Sequence, residues 1–279
     1  MMATPQNIEP LPPATSKPHT IGDVSIQGAA AFVWDVREER ALYKKNADAV
    51  LPLASITKLM TTLLTYELFD PEQRTTLPLA AILQSGDAGL FAGEEFTTKE
   101  LQELALISSS NDAAFALGAS VGEALGDRDP TAQFVTGMNI RAEELGLESL
   151  SFKNTTGLDL SVSEPGAVGS ARDVSFLMEY IIENHPALLD ATTQSGTRVY
   201  NTAGAYHEAF NTNEMVGDIP NLLGSKTGFT DLAGGNLTVA FDAGLDRPIV
   251  ITVLGSTREG RFNDVAILIE AIQESFNTQ

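Results

Sequence analysis

The chain has 279 residues, 43% hydrophobic and 19% charged, which is enough for a sizeable core in one large domain or two small ones. Its 17 Lys and Arg against 37 Asp and Glu give a net charge of −20. Such a surface repels phosphate backbones and anionic membranes, so it argues against nucleic acid as a partner, and any acidic substrate needs a locally basic pocket. The absence of cysteine removes disulfides, thiolate catalysis and cysteine-held metal. The three histidines, His19, His185 and His207, are too scattered to form a metal-binding pair at helical spacing, so no metal and no other cofactor is expected.

The chain opens on MMATPQNIEPLPPATSKPHT, which carries Pro5, Pro10, Pro12, Pro13 and Pro18. It has neither a basic n-region nor an apolar h-region, so it does not read as a signal peptide. Residues 1–22 read as an extended, Pro-rich linker or tail. No stretch reaches the apolar length of a membrane helix, and no membrane contact is expected from the chain as it stands.

GAAAFVWDVREERALYKKN, residues 28–46, places two apolar-rich runs around a charged turn and predicts a β-hairpin. An amphipathic helix follows from near Ser55 to Asp70-Pro71. Thr97 to Glu100 has capping-box spacing and opens another helix. After a break at Ser108-Ser109-Ser110, Asn111 or Asp112 is expected to cap the next one. A helix over Pro130 to Leu145 stops at Gly146, and one starting at Ser170 ends before Pro186.

The last third is β-rich, in LLGSKTGF, GGNLTVAFDAG and RPIVITVLG, and closes with the helix RFNDVAILIEAIQESF. Strands early and late with helices between predict an α+β fold. One antiparallel sheet is built from both chain ends and covered by helices, with a helical lobe over about residues 70–200.

Three short motifs carry the chemistry. Ser55 and Lys58 stand three apart, on one helical face, so the amine can reach the hydroxyl. A serine hydroxyl needs a base to become a nucleophile, and a lysine serves only when neutral. Burial and a second cation both favour the neutral amine, and Ile56, Leu59, Met60 and Leu63 supply apolar surroundings. Alone, the pair reads as a helix cap beside a surface charge, since this spacing is common by chance. Ser109-Ser110-Asn111 follows at an inter-helix break, where Ser109 can relay a proton and Asn111 can hold both Lys58 and a substrate amide. Lys226-Thr227-Gly228 lies on a predicted strand. A lysine there is costly unless an anion meets it, Thr227 can donate to a carboxylate, and Gly228 permits close approach of a substrate backbone.

In this order the three motifs resemble those of the serine D-Ala-D-Ala carboxypeptidases, the low-molecular-mass penicillin-binding proteins of peptidase family S11, within the penicillin-binding protein and β-lactamase superfamily. The resemblance extends from about residue 25 to 275. It includes LPLASITKLMT, GEEFTTKELQELALISSSNDAAFALG, FVTGMNIRAEELGLESLSFKNTTGLD, NTNEM with GSKTGFTDLAGGNL, and RFND at 261–264. It implies a β-lactamase/DD-peptidase-like fold, with residues 23–279 as a single catalytic domain.

The resemblance further implies that Ser55 is acylated, with Lys58 as its base. Ser109 and Asn111 would shape the proton path and grip the substrate. Lys226 would add positive field and press on the pKa of Lys58, while Thr227 and Arg261 bind the terminal carboxylate, with Arg258 a neighbouring claimant for that role. The backbone N–H groups of Ser55 and Phe229 would form the oxyanion hole.

The implied reaction removes the terminal D-Ala from peptidoglycan stem peptides ending in D-Ala-D-Ala, and β-lactams acylate the same serine. The implied location is extracytoplasmic, periplasmic or in the cell envelope, reached through a signal or anchor upstream. Two features depart from the family's pattern. Ser110 stands where Gly is common, which puts the cleft's width in question, and the chain is expected to lack the C-terminal β-rich domain and amphipathic helix of many relatives. Three alternatives stay open: a D,D-endopeptidase acting on cross-links, a class A-like β-lactamase, and a catalytically silent peptidoglycan-binding homologue. The β-lactamase pattern Glu-x-x-x-Asn is missing between Asn111 and Lys226.

Overall fold

The computed structural model describes residues 21–22, 24–86, 89–126, 128–244 and 246–277. The Pro-rich span expected over 1–22 therefore lies outside the described residues, except for its last two. Of these, Ile21 is buried in the core and its N–H bonds to Leu42 O at 3.3 Å.

Strands β1 (Ala30–Asp35) and β2 (Arg40–Lys45) form the expected hairpin, with a bulge at Val33/Trp34. Next come β3 (Leu51–Pro52), a 3-10 turn over Ala54–Thr57 and α1 (Lys58–Leu68). The helix expected from Ser55 thus starts three residues later. Ala54 lies in the left-handed region at φ 49°, and Ser55 sits in the tight turn before the helix and makes no cap.

The middle of the chain holds β4 (Arg74–Thr76), α2 (Leu79–Ile82), β5 (Glu95–Thr97), α3 (Thr98–Ile107), α4 (Asn111–Ala124) and α5 (Pro130–Glu144). The capping box of Thr97 and Glu100 is present, and α5 ends before Gly146 at φ 72°. Then come β6 (Ser151–Phe152), β7 (Ala167–Gly169) and α6 (Ala171–Asn184), which is capped by Ser170. A 3-10 stretch over Pro186–Thr193 leads into the hairpin β8 (Gly196–Tyr200) and β9 (Tyr206–Phe210), for which the sequence had given no signal. Each of its strands buries one apolar residue, Val199 or Ala209, too few to produce alternation. The chain ends with β10 (Leu222–Thr230), β11 (Gly234–Asp242), β12 (Pro248–Ser256) and α7 (Gly260–Asn277).

The main sheet runs β10-β11-β12-β1-β2, all neighbours antiparallel, so both chain ends build it as expected. Strand alternation divides the core. Val33, Leu237, Val239, Ile251 and Val253 meet Val265 and Leu268 of α7 on one face. Phe32, Ala240, Val250 and Leu254 meet α1, α5 and α6 on the other. Each fully buried large apolar side chain contributes roughly 1.5–3 kcal/mol. A third cluster, with Leu77, Phe96, Leu104 and Leu117, joins α3 and α4 to the β8–β9 hairpin. The nucleophile turn lies where these layers meet, against the edge strand β10.

Candidate active site

Ser55 is half-buried at the end of the left-handed kink at Ala54. Two glycines let other segments close around this turn. Gly157, at φ 79°, lies where a Cβ would strike the carbonyl oxygen of Ala54. A Cβ on Gly228 of β10 would come within 2.8 Å of Leu53 O and 3.2 Å of Ser55 N. The strand carrying Lys226-Thr227-Gly228 is thereby pressed against the serine's own backbone.

Lys58 is fully buried, and its Nζ has three partners: Ser55 Oγ at 2.8 Å, Asn111 Oδ1 at 2.7 Å and Thr156 O at 2.9 Å. No carboxylate is among them. Burial lowers its pKa to about 7. A neutral amine has two N–H groups and one lone pair. Thr156 O can only accept. Asn111 is fixed with its oxygen toward the lysine because its Nδ2 donates to Ser85 O at 2.6 Å. Both N–H groups are therefore committed, and the lone pair is left for the Ser55 hydroxyl.

Ser109, at φ 60°, turns the chain into α4 and accepts from Lys226 Nζ at 2.9 Å. Asn111 or Asp112 was expected to cap this helix. Instead, the cap is Ser110, whose Oγ accepts from Ala113 N at 3.1 Å. That side chain is 2% exposed, so the hydroxymethyl that replaces the common glycine points into the protein and does not narrow the cleft.

Lys226 also differs from expectation. Its strand is at the sheet edge, yet the side chain is buried, because the nucleophile turn and the Pro186–Thr193 segment pack over β10. Its partners are neutral, Ser109 Oγ and Thr227 O at 3.0 Å. Its pKa is lowered by burial first, then by the charges of Lys58 and Arg261. The sequence reading had Lys226 depressing Lys58. In the structure burial lowers both lysines, and their like charges in one neighbourhood disfavour a second ammonium.

Thr227 Oγ1 lies 2.6 Å from Thr212 Oγ1. Arg261 is 6% exposed, and its Nη1 donates to Gly228 O at 2.7 Å, behind the strand. Burial lowers its pKa to about 10, helped by Arg258. Arg258 itself is exposed and lies flat on the Phe229 ring, 3.8 Å from its centre. The structure thus joins Ser55, Lys58 and Asn111 by direct hydrogen bonds, bonds Ser109 to Lys226, and sets Gly228, which Arg261 holds, against the backbone of Ser55.

Sequence reasoning assigned no role to four further contributors. Thr156 offers a backbone carbonyl, which leaves no trace in side-chain chemistry. Asn154 organises that loop, its Oδ1 accepting from Gly157 N at 2.7 Å and Thr156 N at 3.1 Å. Asn236, fully buried on β11, donates to Pro52 O at 2.9 Å and Leu53 O at 3.1 Å and so pins the nucleophile loop to the sheet. Thr212 meets Thr227. Asn154-Thr-Thr-Gly157 and Gly-Gly-Asn236 were available as signals, since each puts an amide side chain beside a glycine turn or strand.

The family model for peptidase S11, D-alanyl-D-alanine carboxypeptidase, matches residues 14–257. A D-alanyl-D-alanine carboxypeptidase, DacF, of Bacillus subtilis is 31% identical over 245 residues, 86% of this chain and 60% of that protein. A D-alanyl-D-alanine endopeptidase of Pseudomonas aeruginosa is 32% identical over 215 residues, 75% of this chain and 65% of its own. The chain therefore spans somewhat under two thirds of these two relatives. Among solved structures, penicillin-binding protein D2 of Listeria monocytogenes in its ampicillin-bound form superposes with a TM-score of 0.73 at 31% identity, covering 90% of this chain and 98% of the other. The chain belongs to the peptidase S11 family, the low-molecular-mass penicillin-binding proteins.

Proposed function

We propose that the protein is a serine D,D-carboxypeptidase that removes the terminal D-Ala from peptidoglycan stem peptides through an acyl-enzyme on Ser55, and that β-lactams acylate the same residue. One observation carries the reading: a buried Lys58, lowered to about 7, has both N–H groups taken by Asn111 and Thr156 and its lone pair left 2.8 Å from Ser55 Oγ. Lys58 takes the hydroxyl proton as Ser55 Oγ attacks the penultimate D-Ala carbonyl. The oxyanion is held by the N–H groups of Ser55 and Phe229. The peptide C–N bond then breaks, the departing amine takes a proton through the Lys58–Ser109 side of the cleft, and water later hydrolyses the ester.

Thr227, Lys226 and Arg261 hold the terminal carboxylate, the local positive site that a protein of net charge −20 needs. Residues 23–279 act as one catalytic domain. The place of action is outside the cytoplasmic membrane, where peptidoglycan lies, with an export signal or anchor upstream. Sequencing the N-terminus of the full gene product tests the latter.

A D,D-endopeptidase is the second reading, favoured by the likeness to the Pseudomonas protein of that name. Release of D-Ala from pentapeptides versus cleavage of cross-linked dimers separates the two. Intact-mass analysis after benzylpenicillin tests the common mechanism. One adduct is expected on the native protein and none on Ser55→Ala, and an adduct on the variant would sink the assignment of the nucleophile.

A further inference from the structure

The reaction as proposed gives no task to Asn211-Thr212-Asn213, the start of the NTNEM stretch. Yet this segment is fixed on three sides. Asn211 Nδ2 donates to Thr192 O and Gln194 O, both at 2.8 Å. Asn213, 1% exposed, donates from Nδ2 to Ser225 Oγ of β10 at 3.0 Å. Between them the Thr212 N–H donates to Ile107 O at 3.0 Å, two residues before Ser109. Tied to the end of α3, to the 3-10 stretch and to β10, the segment holds the Thr212 hydroxyl 2.6 Å from that of Thr227. Among the described residues, neither hydroxyl has another hydrogen-bond partner.

Two hydroxyls carry two protons. One lies between the oxygens, so the pair has one left to give outward. If Thr227 donated to Thr212, its oxygen would have no proton for a carboxylate. If Thr212 donates, Thr227 accepts on one side and gives a strengthened hydrogen bond on the other, because hydrogen bonds in a chain polarise one another. Lys226 Nζ donates to Thr227 O at 3.0 Å and Arg261 to Gly228 O at 2.7 Å, so positive charge surrounds that outward proton and an anion is its fitting acceptor. Thr227 also adjoins Gly228, which lies against Ser55 N, so its proton is the one placed toward the reacting end of a substrate. We infer that Thr212 is a positioning residue for substrate recognition: it donates to Thr227 Oγ1, turns the Thr227 proton outward, and so makes the site select a free terminal carboxylate over a neutral end. The inference rests on the D-alanyl-D-alanine peptidase reading.

The test uses an acetylated tripeptide ending in D-Ala-D-Ala and the same peptide as its C-terminal amide, and reads the ratio of their kcat/KM values within one protein. Using the ratio cancels any loss of folded enzyme. The native enzyme is expected to prefer the free acid. Thr212→Val should lower that preference about three- to tenfold, mainly through KM, and Thr212→Ser should restore it. Because Thr212 acts through Thr227, the double variant Thr212→Val, Thr227→Val should be no less selective than Thr227→Val alone. An undiminished ratio in Thr212→Val, no recovery in Thr212→Ser, or a double variant less selective than Thr227→Val overturns the inference while leaving the peptidase reading intact. If the native protein cleaves neither peptide, the peptidase reading fails. Calorimetric titration of both peptides into Ser55→Ala, with and without Thr212→Val, then decides the role of Thr212 alone, and an unchanged ratio of affinities overturns it.

Discussion

Lys58 and Lys226 are the two lysines buried among the described residues, and the same side chain is put to opposite uses. Lys58 sits at the first turn of α1 among three oxygens, two of which can only accept from it, so its neutral form is directed at Ser55. Lys226 sits on the edge strand β10 with a carbonyl and a hydroxyl, and has Lys58 and Arg261 as charged neighbours. Burial lowers both. Lys226 also stands beside Arg261 and Lys58, like charges whose effect an arriving carboxylate would offset. On the proposed reading, acceptor geometry makes the base and a surplus of nearby cations makes the anion site.

The largest break in the comparison comes from Lys58→Met. Without the base, acylation by penicillin should fall by roughly 10²–10⁴-fold, the usual worth of a general base. Lys58→Arg should not restore it, because a guanidinium stays charged and offers no lone pair. Stopped-flow acylation rates check both. Retention of native rates in either variant would remove Lys58 as the base.

A sharper probe is the pH profile. Acylation needs the neutral amine, so its rate should rise with pH through about 7 and decline below it as Lys58 protonates. Burial is the leading cause of that value, so Lys226→Met should move the midpoint little even as substrate binding weakens. Had the Lys226 charge been responsible, its removal would raise the midpoint.

These residues were legible in the sequence because their chemistry is local. Ser55 and Lys58 share one helical turn, and the helix ends at Thr97–Glu100 and at Gly146 announce themselves by capping geometry within a few positions. What escaped notice is long-range or made of backbone. Thr156 serves Lys58 through a carbonyl 98 residues away, and Asn236 holds Pro52 O across 184. Ser110 was misread because three consecutive polar residues can each cap a helix, and only the left-handed turn at Ser109 decides among them. How Lys226 is buried was equally out of reach, since β10 is the edge strand of the sheet and it is packing against the nucleophile turn that covers the side chain.

Asn236 connects the two lysine sites, since β11 lies beside β10 and its amide holds the loop before Ser55. Asn236→Ala leaves the buried carbonyls of Pro52 and Leu53 and the N–H of Gly255 without their partner. A stability loss of about 1–3 kcal/mol is expected by denaturant titration. Acylation should slow as well, because the turn presenting Ser55 loses its anchor. Unchanged stability would mean that the loop holds itself.

The smallest effect concerns Ser110, between the partners of the two lysines. Ser110→Gly restores the residue common at this position in the family. Its side chain caps α4 and faces inward, so the cleft should not change. Replacing a serine cap by glycine costs only a few tenths of a kcal/mol, whereas Ser110→Ala costs about 1 kcal/mol because no left-handed or cap-tolerant backbone is gained in return. The expected pattern is Ala below Gly below native in stability, with kcat/KM for D-Ala-D-Ala peptides level across all three. A change in peptide preference with either variant would show that Ser110 reaches the substrate, and that the second motif differs from its relatives in function as well as in capping.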